Sequence, residues 1–265
     1  MAQYGKYWYV VMKLITHNIE GTKHFARVLP FFKAEAADVL CLQEAPTTVV
    51  PHLEALGYHV SLALRSRRIE PEGEFSDGPL IATFRPHTAT NHTYYNTGED
   101  VPLEDMSSEY IATHGRNHTN SVLLHAHLTY TGDEYDIIST HFTWAPNGNI
   151  ASPAQRTDLA ALLTYTKKLP PHLLCGDFNI PRGHNELYEK LRTQYEDPIP
   201  STYHSTLDQQ FHRKGNDPTL QHLFTDYVVD YIFSQPPYVV SDVRLQFGLS
   251  DHAAVITTIK KETTA

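Results

Sequence analysis

An acidic and an amide side chain, Asp177 and Asn179, follow the apolar segment LLCG. Because side chains alternate along an extended strand, residues 177 and 179 project to the same side. A carboxylate and an amide placed in this way can orient a water molecule and hydrogen-bond a phosphoryl oxygen. The alternative is an Asx turn that ends the strand.

Carboxylates also stand at the ends of two other apolar segments. Glu44 ends DVLCLQE, where it is either a solvated rim residue or a ligand for a hard cation, and oxygen ligands suit Mg²⁺. Asp251 and His252 come directly before AAVITTI. That pair is either a turn or a metal ligand beside an acid–base or phosphate-binding group.

Three further polar residues accompany apolar segments. Asn18 follows the first of them, and His141 ends YDIIST, where it could donate to a phosphoryl oxygen. Asp230 lies within VVDYIF, where an unpaired carboxylate would be costly, so it requires a donor such as an imidazole N–H. Rim residues at unrelated strand ends would not be expected to form so consistent a set.

The elements that must position these residues are short. Apolar segments rich in β-branched and aromatic residues recur along the chain and predict strands. Helical patterns cover about residues 24–37 and 154–168. The mixture predicts two sheets covered by helices, with many hairpins. The polar segments 65–77 and 87–120 are predicted to be long loops.

Composition limits the class of protein. The 265 residues are 41% hydrophobic and 19% charged, as in ordinary globular chains, and one large domain over residues 1–265 is expected. A formal charge of −9 provides no global cationic field for tight non-specific nucleic-acid binding. Any polyanion must therefore be bound by a local group of residues. Clustered carboxylates could bind a divalent cation, whose charge would reverse the local field.

The two cysteines, Cys41 and Cys175, lie in apolar segments and are predicted to be free and buried. The sequence carries no signal-peptide pattern and no apolar run near the ~20 residues that span a bilayer. A cytoplasmic protein without a membrane span is therefore expected, as a monomer.

The order of these motifs resembles the endonuclease/exonuclease/phosphatase superfamily, whose members include pancreatic deoxyribonuclease. The motifs run from Asn18 to His252, in the order Asn18, QE at 43–44, STH at 139–141, GDFN at 176–179, DYIF at 230–233 and SDH at 250–252. The resemblance implies an α/β fold, a four-layered sandwich in which helices flank two central mixed β-sheets. It also implies an active site at one edge, where the strand ends converge.

The resemblance implies a metal site as well. Glu44 would be the principal Mg²⁺ ligand, and Asp251 and Asn18 would complete the metal environment directly or through water. Mn²⁺ could substitute for Mg²⁺.

Catalytic roles follow from the same resemblance. Asp177 would orient or deprotonate the attacking water, and Asn179 would hold the phosphate. His252, oriented by Asp230, would contact the phosphate or act as general acid or base. His141 would stabilise the pentacovalent transition state.

The resemblance identifies fewer candidate residues for substrate contacts than for catalysis. Between residues 60 and 120 the resemblance is weaker, and Asp77 and Arg116 are candidate counterparts of an acid or phosphate contact in the family. Arg68, in a cluster with Arg65 and Arg67, could grip a phosphate backbone or belong to a solvated loop.

The leading substrate is DNA or a nucleotide phosphodiester, because aromatic residues such as Tyr94, Tyr95 and Trp144 could stack on bases. Phospholipids and sugar phosphates are the alternatives within the superfamily, and an inactive binding protein is the alternative of another class. His125 and His127 form an H-x-H that could bind Zn²⁺ in a different hydrolase, although no companion Asp-His pair follows them.

Overall fold

Two β-sheets form the centre of the computed structural model, which describes residues 11–70, 73–96 and 120–262. Sheet 1 has the order β11-β12-β1-β2-β5-β3, with β4 paired to β5, and sheet 2 has the order β10-β9-β8-β7-β6. The strands are β1 (Met12–Asn18), β2 (Val39–Pro46), β3 (His59–Leu62), β4 (Ser66–Glu70), β5 (Gly73–Thr83), β6 (Thr88–Tyr95), β7 (Ser121–Tyr130), β8 (Asp133–His141), β9 (Leu173–Asp177), β10 (Asp230–Phe233), β11 (Tyr238–Gln246) and β12 (Ala254–Lys261).

Four α-helices lie within the described ranges: α1 (Phe25–Glu35), α2 (Val50–Ala55), α3 (Pro153–Thr166) and α4 (Glu186–Arg192). Short 3₁₀ helices cover Thr47–Val49 and Pro218–Phe224. The two predicted helices are confirmed as α1 and α3. Ala36, in the left-handed conformation, ends α1, and a capping box between Ser152 and Gln155 begins α3.

The two sheets and their helices form the predicted sandwich. Phe32 of α1 and Leu53 of α2 pack with Ile15 and Leu40 of sheet 1 in one apolar cluster. A second, larger cluster joins the facing sheets with α3 and α4, and Cys41 and Cys175 lie in it, buried and free as predicted. Burial of this apolar surface is the main stabilising contribution to the fold.

Two predicted loops are wrong in part. Strands β4 (residues 66–70) and β5 (residues 73–83) pair antiparallel, with Arg67 and Glu74 paired across them, and residues 88–95 form β6. Strands β4 and β6 lie at sheet margins, and neither SRRIE of β4 nor TATNHTYY of β6 has the apolar signal of the inner strands.

Both sheets are mixed, as predicted. β1 pairs parallel to β2 and β8 pairs parallel to β9, whereas the other described pairings are antiparallel. None of the described helices is long and apolar enough to cross a membrane.

Candidate active site

Strand register brings the polar strand ends together. In sheet 2, Asp177 at the end of β9 lies opposite both His141 of β8 and Asp230 of β10. In sheet 1, Asn18 at the end of β1 lies opposite Gln43, the residue before Glu44. Parallel neighbours end at the same sheet edge, which is why residues distant in sequence meet there.

Glu44 is directed by an irregularity in β2. The register of β2 against β5 shifts between Leu42 and Ala45, and Glu44 has φ +50. A β-bulge reorients a side chain beside a functional site at the cost of a strained backbone angle. The bulge turns Glu44 toward the strand ends of sheet 2, where its Oε1 lies 3.8 Å from His141 Nδ1.

Gly176 permits the close approach of β9 to β8. A Cβ atom at this position would lie 1.9 Å from the carbonyl oxygen of Thr140, and φ is +147. Only glycine fits both the space and the conformation. The glycine of the GDFN motif therefore sets the spacing between His141 and Asp177.

Asp177 lies at the centre of the site and is buried. Its Oδ2 accepts a hydrogen bond from Asn18 Nδ2 at 3.1 Å and lies 3.4 Å from His141 Nε2 and 3.7 Å from His252 Nε2. Burial raises the pKa of this carboxyl group, and the two imidazoles oppose that effect. Its Oδ1 accepts from the backbone N–H of Asn179 at 2.9 Å, so the Asx turn is present and coexists with the site.

His252 and Asp230 form a buried pair. The Nδ1–H of His252 donates to Asp230 Oδ2 at 2.8 Å. Burial works against the imidazolium charge, but Asp230, Asp177 and Asp251 outweigh it and hold the pKa of His252 well above its usual range. This environment keeps His252 protonated, with Nε2–H directed toward Asp177.

Ser250 fixes the segment that carries this histidine. Its hydroxyl donates to the carbonyl of Asn18 at 2.6 Å and accepts the backbone N–H of His252 at 3.1 Å. The buried His17 side chain contacts the same hydroxyl at 3.0 Å. The SDH segment is thereby tied to the end of β1.

His141 has the opposite electrostatic character from His252. Asn179 Nδ2 donates both to the carbonyl of Phe142 and to His141 Nε2, each at 3.1 Å, which leaves the proton of a neutral ring on Nδ1. Burial and the nearby Arg65 lower the pKa of His141 to about 4. Nδ1 is buried and has no hydrogen-bond partner among the described residues.

The acidic side of the site fits a cation. Asp251 Oδ1 is buried and has no hydrogen-bond partner in the described part of the chain. Burial, Glu20 and Glu44 raise the pKa of Asp251 to about 7, against the opposing effect of His252. Crowded carboxylates with an orphaned oxygen match the hard oxygen donors that Mg²⁺ prefers.

A second group of residues has metal-ligand spacing. Asp177, Asp230 and His252 offer ligand atoms within 4.8 Å of one another, and among the described residues no other such group of three His, Cys, Asp or Glu occurs. A cation there would compete with the 2.8 Å hydrogen bond between His252 and Asp230. The predicted ligands Glu44 and Asp251 leave that pair intact.

A cavity of about 500 Å³ opens over these residues. Of the predicted site residues, it is lined by Asn18, Glu44, His141, Asp177, Asn179, Asp251 and His252, whereas Asp230 lies behind His252. The sequence reasoning missed several further lining residues, namely Glu20, Lys23, His212, Arg213, Lys214 and Tyr227. They belong to no recognisable motif, so the sequence carried no signal for them.

Other predicted residues lie elsewhere. Arg116 is outside the described residues, and so is the side chain of Arg68 in β4; Arg65 of the same basic cluster lines the cavity. Trp144 also lines it, whereas Tyr94 contacts Thr140 Oγ1 at 3.2 Å.

The H-x-H pair of β7 takes part in a different network. His125 Nε2 lies 2.8 Å and His127 Nδ1 3.2 Å from Asp136 Oδ1 on β8. These side chains line a different part of sheet 2 from the strand ends that form the cavity.

Several solved structures share this fold. A human Nocturnin catalytic domain with bound sulfate superposes with a TM-score of 0.66 and is 17% identical, over 95% of this chain and 94% of that chain. ANGEL2, described as a 2′,3′-cyclic phosphatase in complex with adenosine-2′,3′-vanadate, gives 0.63 at 16% identity over 96% and 97%. A Bacteroides vulgatus endonuclease/exonuclease/phosphatase gives 0.67 at 18% identity over 96% and 100%.

A relative is also detected by sequence. Protein angel homolog 2 of Bos taurus is 29% identical over 187 residues, which cover 63% of this chain and 30% of that protein. The alignment thus spans under a third of the relative's length.

The two-sheet sandwich carries carboxylates and imidazoles together at one edge. The Endonuclease/Exonuclease/phosphatase family model matches residues 15–252, and the chain belongs to that family. The motif order predicts this same family.

Proposed function

We propose that the chain is a Mg²⁺-dependent phosphodiesterase that hydrolyses a phosphoester of DNA or of a nucleotide by attack of water. The observation that carries this proposal is the meeting of Asp177, the His252–Asp230 pair and the acidic Glu44–Asp251 side on one cavity. Such a site combines a base, a charged donor and a cation-binding region, which are the groups that phosphoester hydrolysis requires.

The metal would be held by Glu44 and Asp251, with Asn18 completing its surroundings, and Mn²⁺ is expected to substitute for Mg²⁺. Enzymes of this family generally depend on a divalent metal. When bound, the ion supplies positive charge that offsets the negative charge developing on the phosphoryl oxygens. The orphaned Oδ1 of Asp251 supports this assignment.

The proposed acid, base and transition-state roles belong to three side chains of the site. Asp177, anchored by Asn18 and by the backbone of Asn179, accepts a proton from the attacking water. His252, kept cationic by Asp230, donates from Nε2 to a phosphoryl or leaving oxygen. His141 offers its Nδ1–H to the pentacovalent transition state, and Asn179 holds its ring.

The cavity favours a nucleotide over a simple phosphate ester. Its lining includes Trp144, Leu223 and Tyr227, which add apolar and aromatic surface to the polar strand ends. Aromatic surface next to a phosphate site suits a nucleobase attached to the scissile phosphate. The adenosine-2′,3′-vanadate bound by ANGEL2 is a ligand of that chemical kind.

An activity panel with Mg²⁺ tests the proposal. The substrates are bis-p-nitrophenyl phosphate, single-stranded DNA, abasic DNA, 5′-phosphotyrosyl DNA, adenosine 2′,3′-cyclic phosphate, sphingomyelin and inositol phosphates. We expect hydrolysis of nucleotide phosphoesters, its loss in EDTA, and recovery with Mn²⁺. Asp177→Asn and His252→Ala should each lower kcat by roughly 10²–10⁴-fold, the usual contribution of a positioned acid or base.

Thermal unfolding of each variant serves as the control for folding. Equal rates in the wild type and both variants would contradict the enzymatic proposal and favour an inactive binding protein. Turnover confined to sphingomyelin or inositol phosphates would instead identify the lipid or sugar-phosphate alternative. A single domain over residues 1–265, a monomeric state and a cytoplasmic location stay predictions.

A further inference from the structure

The segment from His204 to Tyr227, between α4 and β10, forms one wall of the cavity and is called here the 204–227 arm. It is joined directly to the site: Asp208 N–H donates to the carbonyl of Asp251 at 2.8 Å, and Ala253 N–H donates to the carbonyl of Thr206 at 2.7 Å. The arm is therefore held by the backbone of the SDH segment, and its position relative to the strand ends is fixed.

The outer end of the arm is also built to a defined shape. The side-chain amides of Gln209 and Gln221 both donate to the carbonyl of Gly215, at 3.0 and 3.1 Å. A Cβ atom on Gly215 would lie 1.9 Å from the carbonyl oxygen of Gln209, so the turn requires glycine. Between these contacts the chain forms a closed loop, from which His212, Arg213 and Lys214 line the cavity.

His212 is a fixed donor within this loop. The backbone N–H of Lys214 donates to His212 Nδ1 at 3.1 Å, so the ring proton lies on Nε2. The ring packs edge-on against Phe224, with centroids 5.4 Å apart, and lines the cavity. Burial and the nearby His252 lower the pKa of His212 to about 4, which keeps the ring neutral. Nε2–H has no hydrogen-bond partner among the described residues.

Two cations stand beside this donor. Arg213 is exposed, Lys214 is half-buried, and both line the cavity without an ion-pair partner in the described ranges. By contrast, Lys23, which also lines the cavity, is paired with Glu20. Lys214 is near enough to Asp217 to help lower the pKa of that carboxyl group, but it forms no direct ion pair with it. In a chain with a formal charge of −9, cations that line a cavity and form no direct ion pair favour an anionic group there.

We propose that the 204–227 arm is a subsite for a second phosphate group of the substrate, next along the chain from the scissile phosphate. His212 Nε2–H, the Arg213 guanidinium and the Lys214 ammonium are its donors. The proposal rests on the proposed function, since the scissile phosphate must lie at Asp177 and His252. It extends that function by requiring a substrate with more than one phosphate, such as an oligonucleotide or a phosphorylated nucleotide.

The test compares dinucleotides that share one phosphodiester bond and differ by a terminal phosphate: ApA, pApA and ApAp. We expect the wild type to prefer one of the two phosphorylated forms over ApA in kcat/KM. Arg213→Gln with Lys214→Gln should lower that preference roughly 10–100-fold through KM, because the charge-assisted hydrogen bonds to the second phosphate are lost. His212→Ala should lower it further, and His212→Gln, which retains an N–H donor, should restore part of it.

Salt dependence gives a second readout. The decrease of log(kcat/KM) with log[salt] for the preferred dinucleotide should become shallower in the Arg213→Gln/Lys214→Gln protein, because fewer phosphate contacts are made. The matched control is Lys167→Gln with Lys168→Gln, which removes two exposed charges at the end of α3. That protein should keep the wild-type preference.

Equal kcat/KM of the wild type for all three dinucleotides would overturn the subsite. An equal loss of kcat/KM on all three in the Arg213→Gln/Lys214→Gln protein, called the arm variant, would also overturn it. In both cases the proposed function would stand. If the wild type hydrolysed none of them and no other phosphoester, the proposed function would fail instead. Binding of pApA and ApAp to the wild type and to the arm variant would then decide the subsite separately, and equal affinities would reject it. Unfolding temperatures identify any variant that has lost its fold.

Discussion

At the scale of single residues, the two imidazoles of the site are held in opposite protonation states. His252 is stabilised as a cation by Asp230, whereas burial and Arg65 keep His141 neutral. Groups whose pKa values are driven apart can act as acid and as neutral donor at one pH. The difference arises from neighbours on other strands and not from the histidines themselves.

Asp251 provides a prediction about the metal. Its buried carboxylate lies near Glu20 and Glu44, so Asp251→Asn should raise the unfolding temperature in EDTA at pH 8, because it removes a disfavoured negative charge. The pKa is raised in the folded state, so this penalty grows as pH rises from the ordinary aspartate pKa to about 7. Mg²⁺ should raise the unfolding temperature of the wild type and have little effect on the variant.

The comparison variant is Asp230→Asn, which alters the second candidate ligand group. If Asp230→Asn abolished the Mg²⁺ response and Asp251→Asn preserved it, the ligands would be Asp177, Asp230 and His252 in place of the set that includes Glu44 and Asp251.

At the scale of elements, the site depends on how closely two strands approach. Gly176→Ala would place a Cβ atom 1.9 Å from the Thr140 carbonyl at φ +147. We expect destabilisation of about 3 kcal/mol or more, from steric overlap and backbone strain together. Activity should also fall, because the adjacent Asp177 must move away from His141. Urea unfolding and steady-state kinetics measure the two effects.

Gly132→Ala is the matched control for this change. Gly132 has φ +95 in the turn between β7 and β8, but no atom lies within 4 Å of its added Cβ. It should cost about 1 kcal/mol, from backbone strain alone, and leave kcat unchanged. A cost as large as that of Gly176→Ala would show that conformation, and not the close strand contact, dominates at both sites.

Elements were predictable where burial imposes a pattern. The apolar segments that became inner strands, and the amphipathic patterns of α1 and α3, were recognised because one or both of their faces are covered. Strands β4 and β6 were predicted as loops because they lie at sheet margins and their sequences, SRRIE and TATNHTYY, have no apolar pattern.

At the scale of the whole molecule, buried histidines determine the response to acid. Burial lowers the pKa of His17 to about 3, that of His212 to about 4, and that of His172 below its usual value. Each binds a proton in the unfolded chain at a higher pH than in the folded one, so the free energy of unfolding should fall as pH drops below about 6.5. His252 has the opposite shift, and its stabilisation is fully present below that pH.

His172→Gln tests this behaviour away from the active site. His172 is buried, with Nδ1 2.8 Å from the Pro170 carbonyl and Nε2 2.8 Å from the Tyr195 hydroxyl, and a glutamine amide offers one donor and one acceptor in their place. Between pH 6.5 and 5, the decline in stability should become shallower by up to about 1.4 kcal/mol per pH unit. Urea unfolding at several pH values measures the slope, and an unchanged slope would contradict the assignment of this histidine.

The sequence by itself determined the family, the sandwich of two mixed sheets, and the residue types at the strand ends. Six polar residues were identifiable because each precedes, follows or interrupts an apolar segment, where a polar side chain is costly unless it has a partner. They are Asn18, Glu44, His141, Asp177, Asp230 and His252.

Only the tertiary structure decided which of these residues touch, which imidazole is charged, and what else lines the cavity. Those properties depend on strand register and burial, which join positions more than a hundred residues apart, such as Asn18 and Asp177. For the same reason, the sequence does not indicate that His212 and Arg213 line the cavity. Their position depends on the 204–227 arm, which backbone hydrogen bonds hold against the site. These backbone hydrogen bonds do not depend on side-chain type, so no sequence pattern predicts them.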